Sequence, residues 1–163
     1  MLQIIYTMKE LSFGKLMEVY EASNRERYPR LPAHQALAEA EQQVYDYLRN
    51  DFFTRPCAVI CVWQEGGRYI SALRLEPYRD GMLLTALETA PAYRNRGYAA
   101  MLIRQVQAWQ EQQGDVVLYS HIDNDNQVSI AVHEKCGFVR IADAAAYLDG
   151  SVSSRAGTYR YKN

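Results

Sequence analysis

Between Met82 and Thr89 the chain reads Met-Leu-Leu-Thr-Ala-Leu-Glu-Thr, apolar at almost every position, and an amphipathic stretch and a second apolar run follow it. A strand of this kind must be covered on both faces. From about Gly97 to Gln113, Ala99, Leu102, Ile103, Val106 and Trp109 recur on one helical face, and the stretch stops before Gly114. Asp115 to Ile122 is again strand-like. The segment predicts a strand, a helix and a strand, with the two strands parallel.

The rest of the chain alternates in the same way. Leu2 to Met8 reads as a short strand, and Leu11 to Arg27 and Pro32 to Leu48 read as helices separated by Tyr28-Pro29-Arg30-Leu31-Pro32. Cys57 to Trp63, Tyr69 to Leu75 and Met82 to Thr89 form a predicted meander, joined by the turn signals Glu65-Gly66-Gly67 and Arg79-Asp80-Gly81. A short helix is expected from Gln127 to Cys136 before Gly137, then two closing strands near Phe138 to Tyr147 and Ser154 to Lys162. The fold class is therefore α/β or α+β, a mixed sheet with helices on both faces. With 163 residues, 48% of them hydrophobic, and no repeat or linker, residues 1–163 read as one domain.

Charge excludes some partners. Eighteen lysines and arginines nearly balance 19 aspartates and glutamates, so no overall field is available to hold nucleic-acid phosphates or an anionic membrane. The longest apolar run, Ala58 to Trp63, is far too short to span a bilayer, and Met1 to Thr7 lacks a basic leader. Cys57, Cys61 and Cys136 are an odd set without paired spacing. Cys57 and Cys61 are expected to pack as small hydrophobes, which fits a cytoplasmic protein. A homodimer is left open.

The loop after Met82 to Thr89 carries the chemistry. Pro91 stops the ladder, and Arg94, Asn95 and Arg96 lead into Gly97, Tyr98 and Ala99 at the start of the helix. The first amides of a helix lack intrahelical partners and its macrodipole is positive there, so the turn suits a pyrophosphate, with Arg94 and Arg96 adding charge-assisted bonds. A solvated basic turn with a packing glycine is the plainer alternative.

Arg94-x-x-Gly97-x-Ala99 resembles the Q/R-x-x-G-x-G/A loop of the GCN5-related N-acetyltransferase (GNAT) superfamily, and Leu87-Glu88-Thr89-Ala90-Pro91 resembles the strand and proline that lead into it. Downstream, Asn126-x-x-Ser129-x-x-x-His133-Glu134-Lys135-x-Gly137-Phe138 is similar to the family's second signature, in which tyrosine precedes Glu-Lys-x-Gly-Phe. The resemblance covers Met82 to Phe138. It implies a mostly antiparallel twisted sheet with one splayed parallel pair, and an enzyme that transfers acetyl from acetyl-CoA to a primary amine without a metal. Backbone near Leu87 and Thr89 would bind acetyl and pantetheine, the Arg94 to Ala99 amides the pyrophosphate, and Asn126 the pantetheine arm. A non-catalytic acyl-CoA sensor and a transferase for longer acyl chains are the alternatives.

Transfer to an amine needs a base, and the departing thiolate benefits from an acid. Glu88, expected to share a face with Leu84 and Ala86 among apolar groups, and His121, at the end of the next strand, are the base candidates. The plainer readings are a carboxylate paired with an arginine and a histidine capping a strand. His133 stands where the family has tyrosine and is the acid candidate, able to donate only while protonated. A zinc set of His121, His133 and Cys136 is conceivable on residue type alone, but its spacing matches no known structural site. The acceptor pocket is expected from the first helix pair and the last strands, with Asn24 to Arg30, Asn50 to Phe53, Tyr147, Tyr159 and Tyr161 as its candidates.

Overall fold

The computed structural model describes residues 1–114 and 116–163. Its strands are β1 (Leu2–Ile5), β2 (Val59–Glu65), β3 (Arg68–Tyr78), β4 (Gly81–Thr89), β5 (Val117–Asp123), β6 (Val139–Ala142), β7 (Ala145–Ala146), β8 (Val152–Ser153) and β9 (Ala156–Lys162). The helices are α1 (Phe13–Val19), α2 (Glu21–Glu26), α3 (Ala33–Asn50), α4 (Tyr98–Glu111) and α5 (Gln127–Lys135). One sheet runs β1-β2-β3-β4-β5-β9-β6, and β7 pairs with β8 in a second, small sheet. All neighbours in the large sheet are antiparallel except β4 and β5, which are parallel as expected.

Both faces of the large sheet are covered, and the alternation of β2 shows how. Val59 and Cys61 join Leu102, Ile103 and Val106 of α4 in one core. Ile60 and Val62 turn the other way, against Leu16 and Val19 of α1 and Leu48 of α3. Every one of these strand residues is at most 2% exposed. Full burial of an aliphatic side chain such as Val59, Ile60 or Val62 contributes about 1.5–3 kcal/mol, which is why a run apolar at successive positions lies in a sheet covered on both faces.

Several boundaries differ from the sequence expectation. The first predicted helix is two, α1 and α2, hinged at Tyr20, whose φ of −91° and ψ of 9° leave the helical region. Its hydroxyl donates to the carbonyl of Ala86 in β4 at 2.8 Å, a tertiary tie that local helix propensity does not contain. Phe138 to Tyr147 divides into β6 and β7, because the chain leaves the large sheet after Ala142. β1 ends at Ile5 rather than Met8, and the expected start of a strand at Asp115 lies outside the described residues. Cys61 is buried as expected, but Cys57 is exposed, on a turn with φ of 62° ahead of the strand. Among the described residues no helix is long and apolar enough to cross a membrane, and no group of three histidine, cysteine or acidic side chains could hold a metal ion.

Gly81 shows how tightly β4 is seated. A Cβ there would collide with the backbone carbonyl of Val117 at the start of β5. Backbone on both sides leaves little room to relax. Gly81→Ala is therefore expected to cost about 1–3 kcal/mol or more, read as a lower midpoint in urea with an unchanged slope.

Candidate active site

The site begins where β4 and β5 part. Met82, Leu83 and Leu84 pair with Leu118, Tyr119 and Ser120, and the ladder stops there although β4 continues to Thr89 and β5 to Asp123. At the split the Ser120 hydroxyl donates to the Leu84 carbonyl at 3.2 Å. Just beyond, β4 bulges: Arg74 pairs with Thr85 and Ala72 with Glu88, so two residue steps on β3 match three on β4. Ala86 absorbs the extra residue with φ of 51°. A bulge reverses the facing of everything after it. Leu84 and Leu87 therefore both pack on the α4 side, whereas Ala86 packs on the α1 to α3 side and lines the cleft there with Glu88. Glu88 shares a face with Ala86 as expected, but not with Leu84. An unbroken two-residue period missed the bulge.

That cleft encloses about 380 Å³ and is lined by Tyr20, Ser23, Asn24, Arg27, Gln43, Val44, Tyr47, Arg74, Ala86 and Glu88. Burial raises the Glu88 carboxyl above its ordinary range; the Ser23 hydroxyl and Arg94, whose Nη2 lies 3.8 Å from Oε2, draw it partly back, and Glu26 pushes it up. The carboxylate thus lies beside an arginine, and it is burial in a mostly polar cleft, not the apolar face expected with Leu84, that raises it. The Ser71 hydroxyl donates to the Glu88 carbonyl at 2.6 Å and fixes the backbone that carries it. Burial holds the Tyr20 phenol far above its usual value, so it stays a donor to Ala86 and pins the bulge.

Beyond the end of β4 lies the basic turn. Thr89 is followed by a 3₁₀ turn, Pro91–Tyr93, then Asn95 with φ of 61° and Gly97 with φ of 81° as the N-cap of α4. No side chain caps α4, and its first helical bond runs from Met101 to the Gly97 carbonyl, so the amides of Tyr98, Ala99 and Ala100 have no intrahelical acceptor. Arg94 is held by the Thr89 carbonyl at 3.1 Å, Arg96 lies over the Tyr93 ring, and the Tyr98 hydroxyl donates to Glu65. Nothing lies within 4 Å of where a Gly97 side chain would stand. Asn126 is the N-cap of α5, and its side-chain oxygen accepts from the Ser129 backbone amide at 3.0 Å, as a capping asparagine does for the amide three residues ahead.

The two histidines sit apart from the cleft. His121, on the α1 to α3 face of β5, packs against the rings of Tyr78 and Tyr147 at 5.3 and 5.0 Å, and its Nδ1 lies 3.3 Å from the Thr158 hydroxyl. That hydroxyl donates to the Ala144 carbonyl, so it accepts from His121. His133 is 1% exposed, with Nδ1 donating to the Ser129 carbonyl at 2.8 Å and its ring against Phe138. Its Nε2 is then a buried acceptor without a partner among the described residues. Burial lowers both histidine pKa values from 6.5. A buried histidine that resists protonation contributes stability above its unfolded pKa and loses it as pH falls from there toward its folded value. The thermal midpoint is expected to drop more steeply below pH 6.5 in the wild type than in His133→Gln, measured from pH 8 to 5 in ~0.5 steps.

Residues 16–138 match the acetyltransferase (GNAT) family. The chain belongs to that family. A GNAT member is an acetyl-CoA-dependent N-acetyltransferase, and the parted strands, the basic turn and the Asn126 to Phe138 segment all lie within the matched residues. A comparison with curated proteins finds no match in sequence. Among solved structures, the PaiA N-acetyltransferase of Thermoplasma acidophilum in complex with coenzyme A is similar with a TM-score of 0.71 and 13% identity, over 100% of this chain and 99% of that one. An IAA acetyltransferase of Bacillus cereus aligns with a TM-score of 0.65 and 15% identity over 100% and 99%. The ribosomal-protein-S18-alanine N-acetyltransferase of Escherichia coli gives 0.63 and 14% over 99% and 94%. At such identities these neighbours share the fold.

Sequence reasoning named Asn24, Arg27 and Glu88, which line the cleft, but missed Tyr20, Tyr47 and Arg74. Arg74 had a legible signal: it is the charged residue inside Ile70-Ser71-Ala72-Leu73-Arg74-Leu75, a strand otherwise apolar or small. Phe52 and Tyr159, expected near the acceptor, are buried core residues instead, and the Tyr161 hydroxyl is engaged by Glu111.

Proposed function

We propose that residues 1–163 form one acetyltransferase domain that moves acetyl from acetyl-CoA directly to a primary amine held in the Glu88 cleft. The observation that carries this reading is the bulge at Ala86: Glu88 opens into the cleft on one side of β4, while its flanking residues Leu87 and Thr89 border the gap between β4 and β5. Donor and acceptor can then approach one strand from opposite sides. The Arg94 to Ala99 turn, with open amides and two guanidinium groups, is suited to the CoA pyrophosphate, and Asn126 retains its amide NH₂ for the pantetheine arm.

In this scheme Glu88 takes a proton from the acceptor ammonium. The freed amine attacks the acetyl carbonyl carbon, a C–N bond forms, the C–S bond breaks, and CoA leaves as a thiolate while the nitrogen releases its second proton to water. Glu88 is well placed by its raised pKa, since a base tuned upward from 4.5 holds a proton more readily near neutrality. His121 packs among tyrosines and does not line the cleft. His133, with Nδ1 committed to Ser129 and its pKa lowered, is neutral near pH 7 and serves as an acceptor rather than as the acid of the thiolate. The thiolate is protonated from water. Unpaired Cys57, Cys61 and Cys136 agree with work in a reducing cytoplasm.

The test is thiol release from acetyl-CoA against a panel of amines, with succinyl-CoA and longer acyl-CoAs compared as donors. Acetyl-CoA turnover with at least one amine supports the reading. Tight acetyl-CoA binding without turnover on any amine would favour the sensor.

A further inference from the structure

Arg74 is out of keeping with its surroundings. Two arginines of the chain are half-buried, Arg74 and Arg160. Arg160, whose Nε is likewise buried without a partner among the described residues, is neutralised by Asp80 at 3.4 Å. Arg74 has no carboxylate within ion-pair distance among the described residues, and its Nε is buried without a hydrogen-bond partner. Its guanidinium lies over the rings of Tyr47 and Phe52, 5.0 and 5.7 Å from their centroids. The ring faces attract the cation but do not neutralise its charge, and a buried unsatisfied donor is costly. The same side chain lines the cleft, where Arg27 adds a second cation that also lacks an acidic partner among the described residues. Glu88 is the only carboxylate in the lining, and it lies close by in the sheet: Ala72, two residues before Arg74 on the same face of β3, is its register partner.

From this arrangement we infer that the acceptor is a small aminocarboxylate, its carboxylate received by Arg74 with help from Arg27 and its amine directed to Glu88. The inference rests on the transferase reading of the cleft and adds the substrate class to it. A planar guanidinium seated against two aromatic rings offers parallel N–H donors that match a carboxylate edge. One anion balances the excess positive charge of the lining, whereas a diamine or polyamine would add a cation beside Arg27 and Arg74. The volume of about 380 Å³ lies toward the small end of ligand pockets, which suits an amino acid rather than a folded polypeptide surface.

Matched pairs test it on the unmodified protein: leucine against leucinamide, and 4-aminobutyrate against 1,4-diaminobutane. Thiol release from acetyl-CoA and calorimetric binding to protein saturated with CoA are measured for each compound. The expected result is a kcat/KM for the carboxylate of each preferred pair about tenfold or more above that of its partner, the scale of one lost charged hydrogen bond. Arg74→Met is expected to erase that preference while the thermal shift given by acetyl-CoA, which reports folding, is retained. Equal or better use of the amide and the diamine would overturn the inference and leave the transferase intact. Carboxylate-selective binding without thiol release from any amine would support the recognition by Arg74 and sink the transferase reading. Neither selective binding nor release would overturn both.

Discussion

Glu88→Gln is expected to lower kcat by roughly a hundredfold or more, the ordinary contribution of a positioned general base, with little change in the KM for acetyl-CoA. The amide keeps the size of the carboxylate and its place beside Ser23 and Arg94, so folding should be nearly unaffected. The pH profile gives the sharper reading. A base works only when deprotonated, so kcat at saturating acetyl-CoA should rise with pH through the Glu88 pKa, and burial places that limb above the ordinary carboxylate value of 4.5. Glu88→Gln should remove the limb altogether. Arg94→Ala, by deleting a cation that favours the ionised form, should shift the limb to higher pH in addition to weakening the cofactor. A variant that keeps wild-type kcat and an unchanged limb would take Glu88 out of the chemistry.

Gly97→Val is expected to act at the other end of the site. With φ of 81°, Gly97 holds a conformation that costs a β-branched residue about 1–3 kcal/mol. The substitution also fills the open space ahead of the α4 amides, where the pyrophosphate is proposed to lie. The KM for acetyl-CoA should rise by about tenfold or more as charge-assisted bonds are lost. Gly150→Val separates the two effects. Gly150 has φ of 87° on an exposed turn far along the chain, with nothing within 4 Å of a new Cβ. It should lose comparable stability and leave the KM unchanged; an equal rise in KM for both variants would show that strain alone accounts for the effect.

The two ends of the site were unequally legible in the sequence. The basic turn could be read directly, because its donors lie within six consecutive residues and its glycine sits at a helix start, a purely local arrangement. The same holds for Asn126 and Ser129, whose spacing is that of a capping side chain and the amide it serves. Glu88 could be named but not aimed. Its facing depends on a bulge whose positive φ falls on an alanine, a residue with no preference for that conformation, and which is tied down by the Tyr20 hydroxyl from another element. The second signature suggested His133 as an acid; burial lowers its pKa, the Ser129 carbonyl partly restores it, and that bond leaves Nε2 as the lone-pair nitrogen, none of which a local motif contains.

The sequence by itself determined the order of the main strands and helices, the parallel pair, the coverage of both sheet faces and the basic turn, since each follows from periodicity or from residues adjacent in the chain. Tertiary structure alone decided where β4 and β5 part, that Tyr20 breaks a helix to hold a strand, and that Arg74, Tyr47 and Glu88 meet in one cleft. Those features arise between residues tens of positions apart, where packing and burial, rather than local preference, set the conformation and charge of each group.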